Sequence, residues 1–278
     1  MSPADGGTTI LAPVGPVGRH ELTILLDSLA VMLAIVIPTI AAIFIFAWRY
    51  RASNTRARYL PDWSYSGRLE LVTWSIPSLI VLFLSGLIWT GSHEIDPARP
   101  LAANVTPLEV QVVSLDWKWL FLYPEQRVAL VNELVIPAGR PVHLSLTSAS
   151  VMNSFFVPRL GGMIAVMNGM VTQLHLQADA VGEYAGFSTQ FSGDGFADMH
   201  FATKVLAPGE FDRWGRETAD SSNSVLERAR FLELQKQSRN VRPEAWRLGD
   251  PNLFQAIVHH EIPAGPGPTE GPTTVRPR

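Results

Sequence analysis

The sequence predicts a membrane α plus all-β fold: a hairpin of two transmembrane helices, an external Greek-key β-sandwich or barrel, and a short helical C-terminal extension. Three features predict it, namely two long uncharged stretches, a group of arginines between them, and a later series of short alternating segments. Hydrophobic residues make up 47% of the 278 residues and charged residues 17%. The net charge of −3 does not indicate a nucleic-acid partner.

Residues 28–48 and 71–92 contain no charged side chain. A helix needs roughly 20 residues to cross about 30 Å of hydrocarbon, and both stretches reach that length. The alternative is a buried helix of a soluble core, which usually gives shorter apolar runs. Pro38 and Pro77 lie inside the stretches, and membrane helices tolerate proline because neighbouring groups satisfy the freed carbonyls. We therefore predict a transmembrane hairpin over residues 23–93.

The segment between the spans is rich in arginine, whereas residues 1–22 carry only Arg19 as a fixed positive charge. The arginines of this segment are Arg49, Arg51, Arg56, Arg58 and Arg68. By the positive-inside rule, the loop 49–70 is cytoplasmic, residues 1–22 form an external tail, and the chain beyond about residue 93 is external. The chain contains no cysteine, which excludes disulfides and thiolate metal ligands.

Beyond residue 104 the pattern changes to short segments in which apolar and polar residues alternate. Seven segments, bounded by proline, glycine and asparagine, are strand candidates: Leu108–Leu115, 117–123, 128–136, 141–148, 171–178, 184–190 and 199–206. Strands of this number and spacing are typical of a Greek-key sandwich or barrel. They predict an all-β external domain over residues 104–207.

The C-terminal part of the chain has a different character. In residues 225–237, apolar side chains such as Phe231 and Leu234 recur among charged ones, which indicates an amphipathic helix. We therefore predict a helical extension over residues 208–262. Residues 263–278 are rich in proline and glycine and are predicted to be disordered.

Three separated motifs resemble subunit II of the heme–copper oxidases. They are LDWKW at 115–119, similar to the family's tryptophan-rich first strand pair; VMNSFFVPRL at 151–160, similar to the segment with its first copper histidine; and STQFSGDGFADM at 188–199, which matches its copper loop in length and closing methionine. The resemblance covers about residues 20–207, in the family's order. It implies a cupredoxin-like fold for residues 104–207.

The same resemblance implies that the family's dinuclear copper site is degenerate in this chain. The family uses two histidines, two cysteines, a main-chain carbonyl and a methionine. In that order, the corresponding positions are Asn153 and Phe196, Ser188 and Ser192, Gln190, and Met199. Thiolates bind soft copper because they are charged and polarisable, whereas a serine hydroxyl is neutral and hard. We therefore expect no metal and no other cofactor in this chain.

The sequences of residues 153–156 and 192–196 resemble those of the cytochrome bo-type quinol oxidases in particular. In that group, quinol donates electrons to heme within subunit I. The resemblance implies a non-catalytic subunit II that caps subunit I of a proton-pumping quinol oxidase, an enzyme that reduces oxygen to water. Hemes, copper and quinol would belong to subunit I. The partners would be that subunit, further membrane subunits and lipid.

The implied location is the bacterial inner membrane, with the β domain on the periplasmic side. Subunit II of a cytochrome c oxidase is rejected because the cysteines are absent. A membrane-tethered periplasmic binding or copper-handling module that acts alone remains the alternative.

Glu70 precedes the second span in ELVTWSIP at 70–77, which resembles the pattern that opens this helix in the family, with Thr73 and Trp74 in reverse order. There the glutamate lies at the cytoplasmic mouth of a proton path into subunit I, so the resemblance implies proton entry. A helix-start acid favoured by the macrodipole is a sufficient alternative. The sequence leaves both open.

Other conspicuous residues are better explained by structure than by chemistry. Trp117 matches the family's electron-entry tryptophan, but packing is the better interpretation when no copper lies behind it. Methionines concentrate between residues 152 and 199, where core packing is more usual than a thioether copper relay. His175 and His200 have no chelating partner at an obvious spacing. The pair at 259–260 is interpreted as solvated.

Overall fold

The computed structural model describes residues 9–58, 60–103, 105–221, 224–265 and 267. It divides into two compact units, one formed by residues 20–96 and one by the N-terminal residues up to 19 together with residues from 97 onward. The tail predicted to be disordered, 263–278, lies largely outside the described residues.

The first unit contains two long helices, α1 (Pro16–Arg49) and α2 (Gly67–Glu94). Both are long and apolar enough to cross a membrane, and the side chains of their apolar windows are not buried within the chain. Each extends beyond its uncharged stretch, because a helix continues through the polar residues at both interfaces. Pro38 and Pro77 lie inside the helices, as the predicted spans require.

The predicted N-terminal tail is structured from residue 9 onward. The amide of Val14 donates to the carbonyl of Arg159 at 2.7 Å, and the carbonyl of Val14 accepts from the amide of Asp179 at 2.8 Å. Gly15 is required here, because a Cβ would lie 2.0 Å from the carbonyl oxygen of Gln177. Val14 and Val17 are buried. The segment is therefore part of the β unit, and α1 begins within the predicted tail.

The second unit is built on two sheets with three shorter helices. Its strands are β1 (Leu108–Leu115), β2 (Lys118–Tyr123), β3 (Val128–Val131), β4 (Glu133–Pro137), β5 (Val142–Ser148), β6 (Asn153–Phe156), β7 (Ile164–Val166), β8 (Thr172–Leu176), β9 (Gly182–Ser188), β10 (His200–Leu206), β11 (Val225–Leu226) and β12 (Glu244–Leu248). Its helices are α3 (Pro208–Ser221), α4 (Arg228–Gln235) and α5 (Leu253–Val258).

The strands form a sandwich of two sheets, and the chain crosses from one sheet to the other several times. The seven-stranded sheet has the order β11-β12-β3-β2-β1-β5-β8, and the five-stranded sheet has the order β4-β10-β9-β6-β7. Most neighbours are antiparallel, but three pairs are parallel: β1 with β5, β4 with β10, and β11 with β12.

The predicted strand 128–136 is two strands in different sheets. The break is at Asn132, whose φ of 53° places it in the left-handed region that asparagine tolerates better than most residues. The chain therefore turns there from β3 into β4. The pattern also missed β6 and β7, because residues 151–166 do not alternate regularly.

The first core lies between the two sheets and has an aromatic centre. Phe155 and Phe201 stack at 5.2 Å between ring centroids, and Trp119 meets Phe155 edge-on at 5.5 Å. All three rings are buried. Such pairs add to the free energy of burying their area. This core holds the strand ends from which the degenerate loop departs.

A second core lies on the other face of the seven-stranded sheet, under the C-terminal extension. Phe231, Trp246 and Phe254 of the extension pack with Leu120 and Leu122 of β2. All six residues of β2 are buried as a result. The helical extension predicted over 208–262 contains α3, α4 and α5, and it also contributes two short strands: β12 pairs with β3, and β11 pairs with β12 before α4 begins.

Candidate functional site

The 188–199 loop connects β9 and β10 at one end of the sandwich, and it brings two of the degenerate positions into direct contact. The hydroxyl of Ser188 donates to Oδ1 of Asn153 at 3.1 Å. Nδ2 of Asn153 in turn donates to the hydroxyl of Ser114 at 2.7 Å. All three side chains are buried. Hydrogen bonds between neutral groups therefore occupy this end of the first core.

The remaining degenerate positions are divided between the interior and the surface. Met199 and Ser192 are buried, Phe196 is half-buried and packs edge-on against the exposed ring of Phe191, and Gln190 is exposed. Neutral amides, hydroxyls and one thioether do not provide the charged soft donors that a dinuclear copper centre needs. The donor set does not fit copper. Among the described residues, no group of three or more histidine, aspartate or glutamate side chains is placed to hold a metal ion.

Trp117 lies against this loop as a packing residue. Its indole Nε1 donates to the carbonyl of Ser192 at 3.0 Å. A Cβ on Gly195 would lie 2.3 Å from the indole ring, so only glycine permits this approach. Trp117 also has a φ of 62°, a conformation that is strained for a bulky side chain. Its contacts therefore hold a strained turn between β1 and β2.

Two charged residues beside Trp117 are buried, which the sequence analysis missed. Lys118 is fully buried, and Asp116 accepts from the hydroxyl of Ser150 at 2.6 Å. Burial lowers the pKa of Lys118 to about 8, because the ammonium loses water, while the charge of Asp116 opposes the shift. No sequence signal marks these residues as buried, since the strong hydrogen bonds that hold them are to residues distant in the chain.

A pair of histidines was also missed. His175 of β8 stacks on His143 of β5 with 4.5 Å between ring centroids, because the register of the two strands places them opposite each other. Nδ1 of His143 lies 2.7 Å from a carboxylate oxygen of Glu109. Nδ1 of His175 lies 3.1 Å from the carbonyl oxygen of Pro97. His259 and His260 are exposed, as interpreted from the sequence, and His200 is exposed as well.

Glu70 lies in the first turn of α2, and its side chain is exposed in the chain considered alone. Its amide donates to the carbonyl of Ser66 at 3.0 Å, so the residue is within the helix rather than before it. The side chain of Ser66, at the N-cap, makes no capping hydrogen bond. A carboxylate here is favoured by the helix macrodipole and is also open to a partner.

Two family models match the chain. Residues 108–206 match the periplasmic domain of cytochrome c oxidase subunit II, which confirms the cupredoxin-like fold predicted from the motifs. Residues 221–260 match the COX aromatic-rich motif, a region that contains the aromatic residues of the second core.

Curated relatives cover most of the chain. Ubiquinol oxidase subunit 2 of Acetobacter aceti is 47% identical over 251 residues, which are 90% of this chain and 81% of the relative. Cytochrome bo(3) ubiquinol oxidase subunit 2 of Pseudomonas putida is 44% identical over 250 residues, 90% of this chain and 79% of the relative. A crystal structure of the periplasmic domain of cytochrome oxidase subunit II from Bradyrhizobium japonicum is 23% identical, with a TM-score of 0.41, and covers 44% of this chain and 97% of its own.

The relatives confirm the family that the motifs predicted, because the similarity continues through the membrane helices and the extension. On these grounds, the chain belongs to the subunit 2 family of the ubiquinol oxidases, as a membrane-anchored member.

Proposed function

We propose that this chain is the non-catalytic subunit of a proton-pumping quinol oxidase, and that its β unit caps the outer face of a heme-bearing subunit I. Hemes, copper and quinol belong to that partner in this proposal, since the degenerate loop lacks the donors for a copper centre of its own. The relatives are named as subunits of ubiquinol oxidases, which supports a partner of this kind.

The observation that carries the proposal is a set of exposed apolar side chains on the degenerate loop and on the segments that lead into β6, β7 and β8. They are Met152, Met163, Met170, Val171 and Phe191. The Phe191 side chain is 72% exposed, and the hydroxyl of Thr189 contacts the sulfur of Met163 at 3.0 Å. An apolar surface of this kind marks an interaction site on an otherwise folded domain. A hydrophobic membrane subunit is its proposed occupant.

The proposed orientation places the β unit and the N-terminus in the periplasm and the loop between α1 and α2 in the cytoplasm of the bacterial inner membrane. The arginines of that loop support this. The contacts of Val14 with Arg159 and Asp179 also support it, because they require the N-terminal segment and the β unit to lie on one side of the membrane.

Copurification tests the proposed partner. The chain extracted from membranes in mild detergent is expected to carry a multispan protein with bound heme. Phe191→Ser should reduce the heme recovered per chain. Val181→Ser should not, because that residue, also exposed at 57%, precedes the opposite end of β9. A wild-type chain that purifies without any heme protein would instead favour the module that acts alone.

Thiol labelling tests the orientation against a background that has no native cysteine. Asn54→Cys in the loop between the helices should be protected from an impermeant thiol reagent in intact cells. Glu183→Cys at the exposed start of β9 should be labelled once any outer membrane is permeabilised. The reverse pattern would show that the β unit faces the cytoplasm.

We further propose that Glu70 collects protons at the cytoplasmic end of α2 for the partner subunit. Its exposed carboxylate at the helix start supports this role, because a surface carboxylate raises the local proton concentration without taking part in the chemistry. Glu70→Ala should lower quinol-driven oxygen consumption several-fold per heme, and Glu70→Asp should retain most of it.

The alternative role of Glu70 makes a different prediction. Losing a helix-start acid costs about 0.3–1 kcal/mol of stability and leaves the turnover of the assembled complex unchanged. Asp62→Ala, which removes an exposed acid from the loop just before α2, is the matched control. Equal turnover of the wild type and Glu70→Ala would leave Glu70 as a helix-start residue only.

A further inference from the structure

Residues 236–242, which we call the strap, leave α4 and run beside the degenerate loop to β12. One end of the strap is held by Lys118. Its Nζ donates to the carbonyl of Lys236 at 2.7 Å and to the hydroxyl of Ser238 at 2.5 Å. Lys118 is fully buried, so this anchor is a polar contact shielded from water. Such a contact is expensive to break because the ammonium would lose its partners.

The other end of the strap is held by a second buried side chain. Nδ2 of Asn132 donates to the carbonyl of Val241 at 2.8 Å, and Oδ1 of Asn132 accepts from the amide of Trp119 at 2.8 Å. Asn132 occupies the left-handed turn between β3 and β4. The residue that directs the chain between the two sheets therefore also anchors the strap.

Between these anchors, Arg239 reaches the degenerate loop. Its guanidinium lies 5.4 Å from the ring centroid of Trp117, and its NH2 group lies 3.2 Å from a carboxylate oxygen of Asp194. Trp117 itself binds the carbonyl of Ser192 and packs on Gly195. The strap and Trp117 together therefore contact three positions of the loop within four residues.

We propose that the strap restrains the 188–199 loop. It replaces the restraint that a bound metal gives to a loop of ligands. A metal site ties its loop by bonding several residues at once, which couples binding to folding. The donor set here does not fit copper, so other contacts must restrain the loop. A long surface loop without such contacts opens locally at little cost. This inference concerns the chain's own residues and holds whether or not the proposed partner is correct.

Hydrogen exchange of the purified full-length chain, followed by mass spectrometry, tests whether the strap restrains the loop. Arg239→Ala should raise the exchange rate of the amides at 193–198 several-fold. Arg242→Ala, which removes a second exposed arginine of the strap, should leave those rates within about twofold of the wild type, a difference of less than about 0.4 kcal/mol. The amides of β1 serve as an internal reference and should not change.

A double-mutant comparison decides whether the contact itself is responsible. Asp194→Ala should raise the loop exchange as well, and the double variant should exceed the single variants by less than the sum of their effects, because both remove one ion pair. Unchanged loop exchange in Arg239→Ala would overturn the proposal. An equal rise in β1 would also overturn it, since the strap would then stabilise the whole domain rather than the loop.

Discussion

The two faces of the seven-stranded sheet are covered by different parts of the chain. On one face, Val112 and Phe121 pack against the five-stranded sheet in the first core. On the other, Val113 and Leu122 pack under the extension in the second core. Neighbouring residues of one strand therefore serve two cores. An antiparallel sandwich usually leaves its outer faces to solvent, and here the extension replaces solvent on one of them.

This difference shows that the extension is a structural layer rather than an appendage. Removing it would expose a contiguous apolar face of β1 and β2, which a soluble surface rarely tolerates. The first core, by contrast, closes mainly between strands, and the extension adds only α3 to it, through Phe211. We therefore expect the two cores to fail in different ways, and the following predictions test that expectation from the largest effect to the smallest.

The largest effect is expected from truncating one buried ring in each core. Phe155→Ala and Phe231→Ala should each lower the free energy of unfolding by about 3–5 kcal/mol, because both side chains are fully buried. Denaturant unfolding should show that Phe155→Ala destabilises the whole sandwich. Limited proteolysis should show that Phe231→Ala first releases the extension.

Leu232→Ala is the control for the second core, since this neighbour of Phe231 is 45% exposed and should change the stability little. If Phe231→Ala loosened the strands of the five-stranded sheet as early as the extension, the two cores would be one cooperative unit.

The next effect concerns metal at the end of the first core. The combination of Asn153→His, Ser188→Cys, Gln190→Glu, Ser192→Cys and Phe196→His should create a coloured copper centre, because Met199 is in place and Asn153 already contacts Ser188. Binding should raise the free energy of unfolding by about 4 kcal/mol at free copper a thousandfold above Kd. Visible absorption and denaturant unfolding with and without copper measure both.

The variant that lacks both Ser188→Cys and Ser192→Cys is the control and should stay colourless, because no thiolate remains to give bound copper its charge-transfer colour. A folded five-substitution variant that also stays colourless would count against the alignment of the loop with the family's copper loop.

The smallest effect is a pH dependence of the free energy of unfolding, which arises from Lys118 on the face of the sheet that carries the second core. Burial lowers the pKa of Lys118 to about 8 from its ordinary 10.5. Between about pH 8 and 10.5, the unfolded chain therefore binds more protons than the folded chain. The free energy of unfolding should rise with pH in that window, by at most about 1.4 kcal/mol per pH unit, and should not depend on this group at lower pH. Lys118→Met should remove this slope, and parallel curves for both chains would argue against the shift.

Local patterns predicted the membrane helices and most of the sandwich. The predicted strand Leu108–Leu115 is β1, and each of the other candidate segments overlaps at least one strand. The failures have physical reasons. Alternation does not reveal β6, whose four residues are all at least partly buried. The strand 128–136 was divided because the turn at Asn132 depends on contacts with distant residues.

The candidate site was predictable in its positions but not in its environment. The motifs aligned Asn153 and Ser188 with copper ligands of the family, and the two side chains lie within hydrogen-bond distance of each other. The contact between His143 and His175 could not be predicted from the sequence, because it depends on the register between β5 and β8. The buried charge of Lys118 could not be predicted either, since its two shortest hydrogen bonds are to residues 118 and 120 positions further along the chain.

The sequence by itself determined the two apolar spans and the donor types of the degenerate loop, because both follow from which residues stand in a short stretch. It also determined the family, through separated motifs that recur in a fixed order. The tertiary structure alone decided that the extension builds a second core and that the strap holds the loop. These features depend on contacts between residues far apart in the chain, and the free energy of such contacts is not encoded in any local pattern.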